Sequence, residues 1–457
     1  MRSERIAAAL KQTNHTREVL IAPGAVEAVP DVLGRWFPPP PVLVVADENT
    51  FEAAGKQVLE ALGPSGRRVH QALIFPGSPM LRPQAEHVET ILTRLAPIEA
   101  IPVAVGSGTL NDLVKAAAHR CGRPYLVVAT AASMDGYTSF GAAITHQGVK
   151  RTDDCPAPRA LIADTDILRQ APSAMTAAGY ADLLAKVIAG ADWILADALG
   201  VEALDDKAWA LIGPHLQEWT RDPAGLTAGR PEALESLIEG LVMAGLAMQA
   251  ARSSRPASGC EHYFSHLWEM QGVRRDGEPV SHGFKVGLGT LAAAALYERL
   301  LEADLWQVDV QSRVASWPTP GAVEAEVRAA HADRILAQSA VESSLAKHLG
   351  SEALVARIRA AQVAWPTLRP RLQAQLLPAS ELRARLSAAG CPTTPEAIGI
   401  TRVDLRRSYR LARQIRSRYT VLDLATELGL LEPGLQSLFG PGGFWSDRAT
   451  AGNGTTG

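Results

Sequence analysis

Four short apolar runs in the first 170 residues each end in a polar or glycine-rich turn. They are VLVVAD (42–47), ALIFPG (72–77), AIPVAVGSG (100–108) and PYLVVATAAS (124–133). Between the later runs lie two segments with helical spacing, MLRPQAEHVETILTRLA (80–96) and NDLVKAAAHR (111–120). Strands that alternate with helices need crossover connections. The pattern therefore predicts a parallel sheet covered on both faces.

After about residue 170 the period changes to that of amphipathic helices. They are predicted at 173–199, 231–251, 283–303, 322–348, 351–363, 379–389 and 403–415. Prolines and glycines at 213–214, 318–321 and 364–370 are expected to break them. The expected fold class is an α/β domain (1–170) followed by an all-α domain (171–445). Residues 446–457, small and polar, are expected to be a disordered tail. No internal repeat is visible.

Composition narrows the functional classes. At 457 residues the chain is long enough for two domains or more. A formal net charge of −3 gives no reason to expect a nucleic-acid partner. No run of 18 apolar residues reads as a membrane span, and the N-terminus has no apolar core of signal-peptide length. The four cysteines lie far apart with no CxxC, which fits a reducing cytosol; a cytoplasmic protein is expected.

Three turns carry polar chemistry. GSGTLND (106–112) joins a strand to a helix, where glycines admit a phosphate and the helix N-terminus offers free N–H groups. It lacks the third glycine of GxGxxG, so an ordinary turn is equally open. Asp47 closes a strand, where an acid can meet ribose hydroxyls or simply form the turn. TAASMDGYTS (130–139) crowds hydroxyls and one acid into ten residues, either as a plain turn or as the lining of a polar substrate site.

The stretch 259–285, GCEHYFSHLWEMQGVRRDGEPVSHGFK, holds His262, His266 and His282. The first two are four apart and share a helix face. Two histidines with a carboxylate are a common ligand set for a catalytic divalent ion. Asp182, in AAGYADLLAKVIAGADW, could supply the carboxylate, or could form a surface pair with Lys186. Spacing alone does not decide between ligands and satisfied imidazoles.

VGSGTLND, PYLVVATAASMDGYTS, APSAMTAAGYADLLAKVIAGADW, EHYFSHLWEM, SHGFKVGLGT and RYTVLDLA occur together and in order. In this the chain resembles the sn-glycerol-1-phosphate dehydrogenase family over about residues 17–440, and its bacterial members most. The family lies in the superfamily of dehydroquinate synthase, glycerol dehydrogenase and iron-containing alcohol dehydrogenases. The resemblance implies a dehydroquinate synthase-like two-domain enzyme, an α/β NAD(P)-binding domain (1–170) and an all-α metal- and substrate-binding domain (171–445), with its active site in the cleft. It implies reversible reduction of a phosphorylated small molecule, dihydroxyacetone phosphate, by NADH or NADPH. It implies Asp182, His262 and His282 as ligands of Zn2+, with Ni2+ or Fe2+ as alternatives. Asp135, His266 and Asp182 would contact substrate, with His266 and Asp182 taking part in catalysis. Asp47, Gly106, Ser107, Gly108, Thr109, Leu110, Thr130, Ala131, Ala132, Ser133 and Ser139 would line the dinucleotide. Phe284 departs from the small or acidic residue that often follows HG in relatives. A homo-oligomer is expected, with no membrane insertion. Three other readings stand beside this one: a polyol dehydrogenase for an unphosphorylated substrate, a carbocycle-forming synthase, and a catalytically inactive nucleotide-binding regulatory or structural protein, against which the intact Asp182, His262 and His282 argue.

Overall fold

The computed structural model describes residues 2–146 and 149–446. Eight strands precede the helical half: β1 (Glu18–Ala22), β2 (Val42–Asp47), β3 (Leu73–Phe75), β4 (Ile101–Gly106), β5 (Leu126–Ala129), β6 (Ala142–His146), β7 (Val149–Asp153) and β8 (Ala160–Asp164). Six of them form one sheet in the order β1-β8-β5-β4-β2-β3, and every neighbouring pair is parallel. β6 and β7 form a separate antiparallel ribbon.

The central strands are buried on both faces, as a parallel sheet with helices on each side requires. Alternate residues of β2 go to opposite cores. Val42, Val44 and Ala46 pack with Val29, Leu33, Val58 and Leu62. Leu43 and Val45 pack on the other face with Ile91, Leu113, Val114 and Ala117. The fourth strand-like run, 124–133, stops as a strand at Ala129; residues 130–135 leave the sheet as a polar loop.

Seven helices matter for the site and its support: α1 (Gly108–Arg120), α2 (Ser173–Leu184), α3 (Lys186–Ala198), α4 (Pro231–Ala251), α5 (Cys260–Met270), α6 (His282–Glu302) and α7 (Ser351–Gln375). The helix expected over 173–199 is therefore two. Its break at Ala185 falls where the Lys186 ammonium donates to the Asp182 carbonyl at 2.8 Å. The helix expected over 322–348 is also two, Pro320–Ala330 and Arg334–Ala346. Asp333 caps the second, accepting from the amides of Ile335 and Leu336.

The break expected at 364–370 is absent. α7 runs through Pro366 and Pro370. Both prolines are exposed and lie off the helix's buried face. That side is continuous: Leu354, Ile358, Ala361, Trp365, Leu368 and Leu372.

α4 starts with Pro231 at its first position and is apolar almost all round. Among the described residues it is the one helix long and apolar enough to cross a membrane, and most of it is buried inside the fold. The expected tail lies, apart from Ser446, outside the described residues.

α6 lies against both α2 and α5 because its glycines leave room. A Cβ at Gly283 would stand 2.0 Å from the Ala178 carbonyl oxygen of α2. One at Gly289 would stand 2.3 Å from the Glu261 carbonyl oxygen of α5. No side chain fits such spacing, so the three helices meet backbone to backbone. That approach brings Asp182, His262 and His282 together.

Candidate active site

Asp182, His262 and His282 each offer a ligand atom, and these atoms lie within 4.8 Å of one another. His262 Nε2 is 3.6 Å from Asp182 Oδ1, and the rings of His262 and His282 are 5.3 Å apart. Each imidazole has a carboxylate at its other nitrogen. Glu261 Oε1 lies 2.8 Å from His262 Nδ1. Glu269 Oε1 lies 2.8 Å from His282 Nδ1, with Ser265 Oγ at 3.3 Å. Such partners hold a ring's orientation and leave Nε2 as the metal donor. Two imidazoles and one carboxylate suit zinc, nickel or iron, and the mixed N/O set does not suit calcium. The residues present therefore fit a divalent transition metal.

Behind His262, the Asp192 carboxylate accepts from Tyr297 Oη at 2.6 Å and from the Cys260 and Val421 amides at 2.7 and 2.8 Å. Gly259 keeps space beside it, since a Cβ there would meet Asp192 Oδ2 at 2.6 Å and Glu261 Oε2 at 2.8 Å. These contacts lock the start of α5, and with it His262.

His266 lies one turn beyond His262. Its ring is 6.1 Å from that of His262 and 6.0 Å from that of His282. Its Nδ1 is 3.4 Å from Glu269 Oε2, so one carboxylate serves two histidines.

Asp135 joins the group from the loop after β5. Its amide donates to Asp182 Oδ2 at 3.1 Å. Lys186 Nζ lies 2.6 Å from Asp135 Oδ2 and 3.1 Å from Asp182 Oδ1. The surface pair considered for Asp182 and Lys186 is thus a buried one, with Lys186 fully enclosed. The i,i+4 spacing was legible, but nothing in it tells which helix face meets solvent.

Burial disfavours the Asp182 carboxylate, yet Lys186, His262 and His282 outweigh it and hold the carboxyl well below its ordinary range. Burial, followed by the Asp182 charge, pushes Asp135 up. Burial opposes charge on Lys186 too, but the two carboxylates raise its affinity for the proton. His262 is pushed up to about 9: burial acts against this, and the hydrogen bonds to Asp182 and Glu261 prevail.

The expected dinucleotide residues gather at the C-terminal edge of the sheet. Gly106 ends β4, and its carbonyl accepts from the Thr130 amide at 3.2 Å after β5. Ser107 precedes α1, whose first turn holds Gly108, Thr109 and Leu110. The Leu110 side chain folds back over Gly106 into the core, so its amide alone is placed to face a phosphate. Ala131 and Ala132 are buried; the Ala131 carbonyl accepts from Tyr137 Oη at 2.5 Å. Ser133 is half-buried, and Ser139 Oγ is turned onto the Gly136 carbonyl at 2.9 Å. Asp47 stands at the end of β2, next to β4, where it caps a short helix by accepting from the Thr50 amide at 2.8 Å. The Met134 thioether bridges the two loops, against Gly108 and 2.8 Å from the Gly136 amide.

Glu261, Glu269 and Lys186 were not among the expected site residues. A carboxylate next to His262 and another three residues after His266 were the available signals. Of the cations near His282 in sequence, Lys285 Nζ is 3.0 Å from the Val280 carbonyl and 3.6 Å from Glu269. Arg274 and Arg275 are exposed on a short ribbon.

Residues 20–172 match the family described as iron-containing alcohol dehydrogenase. The chain is 36% identical over 258 residues to the glycerol-1-phosphate dehydrogenase [NAD(P)+] of Halalkalibacterium halodurans, covering 56% of this chain and 65% of that one, just under two thirds. It is 34% identical over 281 residues to the protein of that name from Pyrococcus furiosus, covering 62% of this chain and 78% of the relative. Against that of Geobacillus stearothermophilus it is 29% identical over 395 residues, covering 86% and 88%. Its fold is shared with a probable glycerol dehydrogenase from Sinorhizobium meliloti, at a TM-score of 0.59 and 17% identity, over 93% of this chain and 99% of the other. With a motif-bearing sequence so similar to these relatives over most of the Pyrococcus protein, the chain belongs to the glycerol-1-phosphate dehydrogenase family.

Proposed function

We propose that the protein is a metal-dependent sn-glycerol-1-phosphate dehydrogenase, reducing dihydroxyacetone phosphate reversibly with NADH or NADPH. The observation that carries this reading is the convergence of Asp182, His262 and His282, each imidazole backed by a glutamate, beside the loop that bears Asp135. The names of the relatives point the same way.

In this reading Asp182, His262 and His282 hold Zn2+, with Ni2+ and Fe2+ as alternatives. The ion supplies Lewis acidity toward a carbonyl oxygen. Asp135 and Asp182 orient the substrate from the metal side. His266, held by Glu269, delivers a proton to the oxygen as the carbon takes hydride, so ketone, hydride and proton together give the alcohol. Gly106, Ser107, Gly108 and Thr109 present backbone N–H groups to the dinucleotide pyrophosphate, with Leu110 contributing its amide. Asp47 meets the ribose, and Thr130, Ala131, Ala132, Ser133 and Ser139 line the dinucleotide. A nucleotide-side domain over 1–170, a helical domain over 171–445, a cytoplasmic location and a homo-oligomeric state belong to the same proposal.

The test is oxidation of NADH and of NADPH with dihydroxyacetone phosphate, before and after chelation, then with Zn2+, Ni2+ or Fe2+ restored singly. Chelation should abolish turnover and one of the ions should restore it. Turnover of glycerol but not of the phosphorylated ketone would replace the substrate assignment, and turnover unaffected by complete metal removal would overturn the metal assignment.

A further inference from the structure

Lys115 lies outside every group assigned above, yet it is fully enclosed at the centre of the contacts between α1 and the Asp135 loop. Its Nζ donates to three backbone carbonyls of that loop: Gly136 at 3.2 Å, Ser139 at 3.0 Å and Gly141 at 2.9 Å. Two neighbours on the same helix reinforce it. Asn111 Nδ2 donates to the Gly136 carbonyl at 3.2 Å, while Asn111 Oδ1 accepts from Tyr125 Oη at 3.0 Å. Asp112 Oδ2 accepts from the Ala143 amide at 3.1 Å. Asp112 also lies 3.5 Å from Lys115 Nζ, which gives the buried ammonium a counter-charge.

Three carbonyl dipoles that converge on one point repel each other. Without a cation there the turn 136–141 would lose its shape, because buried carbonyls need donors. The loop begins at Asp135, whose amide reaches Asp182. α1 thus serves two sites. Its N-terminal amides face the dinucleotide edge of the sheet, and its second turn grips the loop on the substrate side.

We infer that Lys115 is a positioning residue for substrate: its ammonium fixes the 135–141 loop, and so places Asp135, from the helix whose first turn serves the dinucleotide. The inference rests on the reading of Asp135 as a substrate contact.

The test uses the full-length metal-loaded protein and Lys115→Met, which keeps the apolar stem and removes the charge. Asn111→Ala is a milder second variant, to be read by the same criteria if Lys115→Met does not fold. Two readouts are needed. Amide hydrogen exchange over 135–143 should quicken about tenfold or more, since a charge-assisted hydrogen bond is lost, while exchange in α5 and α6 stays as in wild type. The KM for dihydroxyacetone phosphate should rise about tenfold, with the Kd for NADH, read by nicotinamide fluorescence, changing less than about twofold. Unchanged exchange over 135–143 overturns the clamp. Quickened exchange with an unchanged KM overturns the positioning role. A merely structural defect would instead raise exchange throughout and weaken NADH binding, which also counts against it. If wild type does not reduce this ketone, the proposed function fails, and the exchange measurement still decides the clamp.

Discussion

Gly283→Ala tests why the site exists at all. Gly283 follows His282 in the first turn of α6 and faces Ala178 of α2, one turn before Asp182. The added Cβ would stand 2.0 Å from the Ala178 oxygen, 2.6 Å from its carbonyl carbon and 2.8 Å from its Cα. All three are backbone atoms of a packed helix and cannot swing aside. The helices must part by about 1 Å before the closest contact reaches the 3.0 Å below which real Cβ contacts essentially never fall. That motion takes His282 away from Asp182. Metal–ligand distances tolerate only about 0.2 Å, so the ligand set cannot be kept. Removing glycine from a helix returns roughly 0.5–1 kcal/mol, and overpacking costs about 1–3 kcal/mol, so the variant should be destabilised as well. Elemental analysis of the purified variant should show most of the ion lost. Chelator should lower the Tm of wild type, because an ion bound only to the folded state stabilises it. It should leave the variant's Tm almost unmoved. Gly34→Ala is the control, since nothing lies within 4 Å of its Cβ position. Full metal content with a chelator-sensitive Tm in Gly283→Ala would refute the close-approach argument.

Three further outcomes are expected. Glu427 accepts from Tyr419 Oη at 2.6 Å, and burial pushes its carboxyl up to about 7. The fold retains a proton that the unfolded chain has released, so stability is full below about pH 4.5 and falls by up to roughly 3 kcal/mol as pH rises to about 7. Glu427→Gln should flatten that slope in urea midpoints taken at about pH 5 and about pH 8; equal slopes in both proteins would exclude Glu427 as the cause. Gly108→Val brings a branched side chain to within 3.0 Å of Met134 at the start of α1. It should weaken NADH binding about tenfold or more, an effect of ~1.4 kcal/mol, at unchanged metal content; an unchanged Kd for NADH in the folded variant would contradict the phosphate-loop reading. Asp47→Gly should shift the ratio of kcat/KM values toward NADPH by roughly fivefold, since a like charge near a 2′-phosphate costs about 1 kcal/mol. No shift, or one toward NADH, would leave Asp47 as the cap of its turn and nothing more.

The residues that could be read from sequence were those whose roles depend on local spacing. β2 was legible to its last residue because VLVVAD ends in an acid after five residues buried in the sheet. α4 was legible at both ends: Pro231 opens it, and its apolar run gives way at Arg252 to the polar stretch RSSR (252–255). What local spacing could not supply was the direction of solvent. Pro366 and Pro370 are expected to break a helix, but they lie on its exposed side, and the packing of its apolar side carries it through. Lys186 read equally well as a surface partner of Asp182, but Asp135 reaches it from a loop 51 residues earlier in the chain. Glu261 and Glu269 were overlooked because a carboxylate on a helix usually faces water. Here both turn inward, Glu261 onto His262 and Glu269 onto His266 and His282.

α4 bears on how this protein fails when heated. While the fold holds, its apolar surface is hidden within the helical half. On unfolding, its long apolar run is released into water all at once. Exposed chains of that kind find each other faster than they find their way back. Thermal loss of this protein is therefore expected to be governed by a clock rather than a balance. Its half-life should shorten as concentration rises, and its apparent melting point should climb with the speed of the scan.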